Sequence, residues 1–89
     1  MSNTKAGNVI RVDTSGALTG VYSVCGVKYI GAASGSAIIS SGTADGSGNK
    51  LWEESGTTNQ PLEEVEIRDA AGLYVTVANS AVVYIYLGA

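Results

Sequence analysis

The chain has 89 residues, 45% of them hydrophobic, and eight acidic against five basic side chains give it a net charge of −3. It contains no histidine and a single cysteine, Cys25, which excludes histidine-based zinc sites and triads and leaves no intrachain disulfide. The acidic balance, with Lys5, Arg11, Lys28, Lys50 and Arg68 spread one to a segment, argues against nucleic acid as a partner, because phosphate binding needs clustered cations.

Twelve glycines, one proline and a mean hydropathy of +0.18 suit an ordered chain of short strands and turns. Residues 1–7 are small and polar, show no period, and read as a loose N-terminal arm, so the domain proper spans 8–89. Val9, Ile10, Arg11 and Val12 favour strand, residues 13–16 signal a turn, and Leu18 resumes the apolar content. That pattern predicts a hairpin. Residues 21–30 form the longest β-rich segment, and Gly26 within it marks a turn or bulge that makes two strands of it. Cys25 reads as a small hydrophobe buried in that segment. A Gly-rich stretch over 31–36 leads to a brief strand over 37–40. Asp45, Gly46 and Gly48 then turn the chain into 50–54, another hairpin.

Residues 55–61 are the least hydrophobic stretch, and Pro61, which has no amide donor, belongs in a loop or at the start of a strand. Next comes the clearest alternation in the chain. Val65 and Ile67 face one way and Glu64, Glu66 and Arg68 the other, a half-buried strand with a wet outer face. Residues 69–72 turn, Leu73, Val75 and Val77 alternate with Tyr74, Thr76 and Ala78, and Asn79-Ser80 turns into 82–87 to close a terminal hairpin. In that last strand Val83, Ile85 and Leu87 share one face and Val82, Tyr84 and Tyr86 the other. Both faces are apolar or aromatic, so the strand sits between two layers or meets another chain with one of them.

No helical apolar period persists over roughly ten glycine-free residues, and no apolar run approaches the ~20 residues of a membrane helix. No membrane partner is expected. The N-terminal residues lack an apolar signal core, which predicts synthesis in a cytoplasm without secretion. The fold expected is all-β: a single small antiparallel β-sandwich or jelly-roll-like domain of about seven to eight short strands.

Motifs of chemistry do not survive inspection. The stretch Asp45-Gly46-Ser47-Gly48-Asn49 alternates oxygen-bearing residues as a calcium loop does, yet Lys50 and Gly56 occupy the places that need glycine and glutamate. Glu53, Glu54, Glu63, Glu64 and Glu66 lack the burial that a glycosidase acid requires, and read as a charged surface that discourages edge aggregation. No serine sits in a Gly-x-Ser-x-Gly setting, and no Gly-rich phosphate loop opens a helix. The chain reads as a non-enzyme, with no catalytic, metal or cofactor-binding residue. Its aromatic residues are Trp52, Tyr22, Tyr29, Tyr74, Tyr84 and Tyr86. Each carries a polar handle, which suits surfaces and interfaces. Core or subunit interface is favoured over a sugar-stacking platform, and the interface candidates are Trp52, Tyr74, Val82, Tyr84 and Tyr86.

Three runs carry a likeness: Gly26-Val27-Lys28-Tyr29-Ile30-Gly31, Asp45-Gly46-Ser47-Gly48-Asn49-Lys50-Leu51-Trp52, and Gly72-Leu73-Tyr74-Val75 followed by Val82-Val83-Tyr84-Ile85-Tyr86-Leu87. Over residues 21–87 the chain resembles the short virion proteins of tailed bacteriophages, although its middle is richer in Ser and Gly. The resemblance implies a small β-sandwich on the capsid surface, a decoration or cement protein that binds and stabilises the major capsid protein. No catalytic residue comes with the resemblance, and no cofactor is expected; a chain this small gains most by burying further surface against another chain, so copies joined as a homo-oligomer such as a trimer are expected. The alternative is a receptor- or glycan-binding module of a head or tail fibre, with the aromatic residues as a stacking surface.

Overall fold

The computed structural model describes residues 4–43 and 48–88. In chain order the strands are β1 (Thr4–Ala6), β2 (Val9–Val12), β3 (Gly16–Ile30), β4 (Ser36–Ser41), β5 (Lys50–Ser55), β6 (Glu63–Ala78) and β7 (Val82–Leu87). There is no helix among the described residues. The seven strands form one sheet in the order β1-β2-β7-β3-β6-β4-β5, and every pairing in it is antiparallel. The all-β antiparallel fold class follows the alternation in the sequence. Its layers, however, come from one continuous open sheet.

Two long strands make that possible. β3 has 15 residues and β6 has 16. The first half of β3 pairs with the second half of β6, Gly16 opposite Val75, and the second half of β3 pairs both with the start of β6 and with β7. The second half of β6 also pairs with β4, Ile39 opposite Val75. One half of the sheet therefore contains β1, β2, β7 and the inner ends of the long ribbon, and the other contains β4, β5 and its outer ends.

The ribbon bends where its register slips, between Leu18 and Val21, Tyr22 and Val24, and Val24 and Gly26. Gly72 (φ 89°) and Asp69 (φ 49°) adopt left-handed conformations in this stretch. The sequence predicts a turn over 69–72 and a division of 21–30 into two strands. The structure corrects both, because a bulge absorbs a left-handed residue and sharpens the twist without ending the pairing. Cys25 is also corrected: it is exposed. Val24 faces Leu87 and Gly26 faces Tyr86, so Cys25 is the extra residue of a bulge and has no place in the ladder.

Two further expectations change. The connection after β6 is a tight turn over residues 78–81, with Asn79 (φ 56°) and Ser80 (φ 69°) left-handed and the Ala81 N–H donating to the Ala78 carbonyl at 3.2 Å. The strands it joins do not pair, since β6 ends beside β4 and β7 begins beside β3. The turn thus carries the chain from one half of the sheet to the other. Likewise β2 makes no hairpin with β3. It lies between β1 and β7, with Val9 opposite Tyr86 and Arg11 opposite Tyr84. Thr4–Ala6, expected in a loose arm, pairs with β2, whereas residues 1–3 of that arm lie outside the described residues. The β4–β5 hairpin forms as expected, Ile39 opposite Trp52, although Asp45 and Gly46 of its turn also lie outside the described residues.

Alternation turns one face of each strand toward a single core. Ile10, Val12, Val27, Tyr29, Val83 and Ile85 come from one half, and Ala37, Ile39, Trp52, Leu73 and Val75 from the other. Tyr29 is 1% exposed, and its hydroxyl donates to the Gly56 carbonyl at 2.8 Å. Burial, and then the nearby Glu54 charge, raise its pKa above the ordinary tyrosine value of 10.0. The folded state therefore keeps this contribution below about pH 10 and loses it as the pH climbs through the higher folded value. Tyr29→Phe is expected to cost about 1 kcal/mol at neutral pH, from the lost hydrogen bond, and to remove this part of the alkaline loss. Urea midpoints of both proteins at neutral and at strongly alkaline pH check it. Parallel alkaline curves would show that Tyr29 is not the responsible group.

Candidate interaction surface

β7 is an interior strand of the sheet, with β2 on one side and β3 on the other. Its inward residues Val83 and Ile85 are completely buried. Its outward residues Val82, Tyr84 and Tyr86 are only half-buried, and the register fixes their neighbours. Tyr86 lies between Val9 and Gly26, Tyr84 between Arg11 and Lys28, and Val82 beside Ile30. Gly26 leaves a hollow in this face, and Leu62 lies over it, its Cδ1 3.1 Å from where a Cβ would stand. Leu62 is itself 53% exposed. The outcome is an apolar strip of Val9, Tyr86, Leu62, Val82 and Ile30, crossed by the row Arg11, Tyr84, Lys28.

Charge is ordered on this face. The Arg11 guanidinium donates to Asp13 Oδ2 at 2.5 Å, and Asp13 first, then the Tyr84 hydroxyl, raises the pKa of Arg11. The same contact, helped by the Thr14 hydroxyl, holds the Asp13 carboxyl below its ordinary value. Lys28 makes no ion pair among the described residues. Beyond β3, Glu64 stands opposite Gly26, and Glu64 and Glu66 are exposed. Arg11 is therefore matched by Asp13, and Glu66 by Arg68 on the same strand, whereas Lys28 and Glu64 make no ion pair among the described residues.

Of the candidates drawn from the sequence, the structure brings Val82, Tyr84 and Tyr86 together. Tyr74 lies apart, in the other half of the sheet between Ala17 and Ser40, on the side opposite the buried Leu73 and Val75. Trp52 leaves the surface set altogether. It is 8% exposed, and its indole N–H donates to Glu63 Oε1 at 2.7 Å. That acceptor lets a ring with a polar handle enter the core. Val9, Ile30, Leu62, Arg11 and Lys28 escaped the sequence reading. They join the face only through strand order, and Leu62 stands just past Pro61, where the least hydrophobic stretch ends.

A second concavity, about 670 Å³, opens where β3 and β6 slip in register, among Ser23, Cys25, Glu66, Arg68 and Asp69. Within it Arg68 pairs with Glu66, and the Asp69 N–H donates to the Ser23 hydroxyl at 3.0 Å. Among the described residues no group of three or more His, Cys, Asp or Glu side chains could hold a metal ion, and no helix is long and apolar enough to cross a membrane. No family model matches this chain, and no curated protein or solved structure is similar to it.

Proposed function

We propose that the protein is a non-enzymatic structural component of a tailed-phage virion, a capsid decoration or cement protein that docks through its open sheet face and stabilises the shell of major capsid protein. The single observation that carries this reading is the outer face of β7, where Val82, Tyr84 and Tyr86 stand half-buried beside Val9 and the exposed Leu62. An interior strand with apolar side chains on both faces is completed by another protein surface. Tyrosine fits that role because its ring buries area while its hydroxyl keeps a hydrogen bond. The likeness of the last strand to phage virion proteins supports the capsid as the setting. The fibre-module alternative loses its strongest stacking group, since Trp52 is turned into the core.

Mass spectrometry of purified particles tests the reading, with copies expected in number comparable to the major capsid protein. A handful of copies would place the chain at a neck or tail, and absence from particles would end the virion reading. Tyr86→Asp is expected to stay folded, within about 1 kcal/mol of the parent, yet to lose sedimentation with capsids and the heat resistance it confers on them. Undiminished capsid binding by that variant would remove the sheet face from the account.

A further inference from the structure

We propose that the free margin of β6, residues 63–70, takes up an extended segment of another protein as an added strand, one that carries lysine or arginine at alternate positions. This surface is distinct from the outer face of β7, and its occupancy does not depend on the capsid reading. β6 has partners on both sides only in its second half, where β4 covers residues 73–78. Over residues 63–71 β3 is the one strand beside it among the described residues. The Asp69 N–H turns toward β3, where it donates to the Ser23 hydroxyl. Backbone groups of an extended strand point alternately to its two sides, so the others along this length turn away from β3 and meet no described strand. Such a row of N–H and C=O groups is a template on which a further chain can pair.

Side-chain chemistry defines the segment that fits. Glu64 and Glu66 are exposed on the outer side of this margin, and Val65 on its inner side is only half-buried although it packs against the core. Glu54 of β5 and Glu63 line one small hollow at the start of the margin. Arg68 is the one cation of residues 63–70, and Glu66 takes it. Glu54, Glu63, Glu64 and Asp69 are left without a cationic partner among the described residues. An added strand sets its own side chains alternately outward and inward beside these. Lysine or arginine at the outward places meets Glu64 and its neighbours, and an apolar residue between them covers Val65 and extends the core. The concavity of about 670 Å³ is lined by residues 64–69, which gives a long cationic side chain room to lie along the margin. The same carboxylates turn away a second copy of this chain, because two identical margins side by side bring like charges opposite one another.

Titration of the full chain, followed by nuclear magnetic resonance and amide hydrogen exchange, tests the added strand. The probe is a capped peptide of about seven residues that alternates lysine with valine. Saturable binding is expected with a Kd of about 0.1–1 mM at low salt, weakening as salt is raised. Exchange of the outward amides between residues 63 and 70 is expected to slow, which attraction between charges alone does not produce. The same peptide with glutamate for lysine is expected not to bind, and a version N-methylated along its bonding edge to bind about tenfold more weakly or worse. Glu64→Lys is expected to raise Kd about tenfold. Glu64 is exposed and makes no ion pair among the described residues, so this change leaves the fold intact, as circular dichroism will register. No saturable binding up to about 5 mM, equal binding of the glutamate or N-methylated peptide, or slowed exchange confined to β1 or β5 overturns the proposal. Tyr86→Asp is expected to leave the peptide affinity unchanged while it abolishes capsid binding, so a failure of the virion reading is distinguishable from a failure of this one.

Discussion

Trp52→Ala is expected to be the most damaging single substitution, lowering stability by about 3–5 kcal/mol, a large share of the roughly 5–15 kcal/mol that holds a domain together. Trp52 projects from β5, a strand at the margin of the sheet, yet belongs to the central cluster with Ile39, Leu73 and Val75. Truncation removes the largest apolar side chain in that half and leaves a void that β5 cannot close without losing its register with β4. It also strips Glu63 Oε1 of its indole donor at 2.7 Å. Trp52→Phe separates the two effects, since it keeps most of the buried area and loses only the hydrogen bond, at about 1–2 kcal/mol. Because Trp52 is the sole tryptophan, urea unfolding of these variants is followed by circular dichroism. A loss below about 1 kcal/mol for the alanine variant would mean that the ring is not packed as described.

Gly31→Ala is the second large effect, and its cause is overlap. A Cβ at this position would stand 2.6 Å from the Thr57 carbonyl carbon and 2.8 Å from the Gly56 oxygen. Both are backbone atoms, so no side-chain rotation relieves the clash. The crossing segment is tied down on several sides. The Gly31 N–H donates to Asn59 Oδ1 at 3.0 Å, and the Gln60 N–H donates to the Tyr29 carbonyl at 3.0 Å. The Tyr29 hydroxyl holds Gly56 as well. Moving the loop to admit a methyl group strains these bonds together, and the expected cost is about 1–3 kcal/mol or somewhat more. Thermal or urea unfolding against the parent measures it. An unchanged midpoint would show that the loop yields freely, and that the contacts between 56–60 and the end of β3 contribute little.

Much of the fold is legible in the sequence because alternation is a local signal. Val65 with Ile67, Leu73 with Val75, and Val83 with Ile85 identify the core face of their strands without any knowledge of pairing. What is not legible is which strand lies beside which. Asn79-Ser80 has the chemistry of a hairpin turn, and nothing local reveals that it bridges two halves of the sheet. Asp69 and Gly72 likewise carry turn chemistry, but bulges use the same left-handed residues as turns. The candidate surface divides the same way. Val82, Tyr84 and Tyr86 announce themselves by crowding a second apolar face onto one strand. Arg11 and Lys28 become relevant only once Tyr84 is known to lie between them. Trp52 misleads because its ring suits an interface as well as a core, and Glu63, its acceptor, is set in space rather than in sequence.

The shared ribbon of β3 and β6 also governs how the molecule comes apart. Each of these strands holds partners in both halves, so peeling away β4 and β5 exposes the same backbone that supports β7. Neither half retains a complete hydrophobic interior by itself, and partial melting gains little entropy for the contacts it forfeits. Loss of structure is accordingly expected to be all-or-none, with no surviving fragment to expose unpaired strand margins.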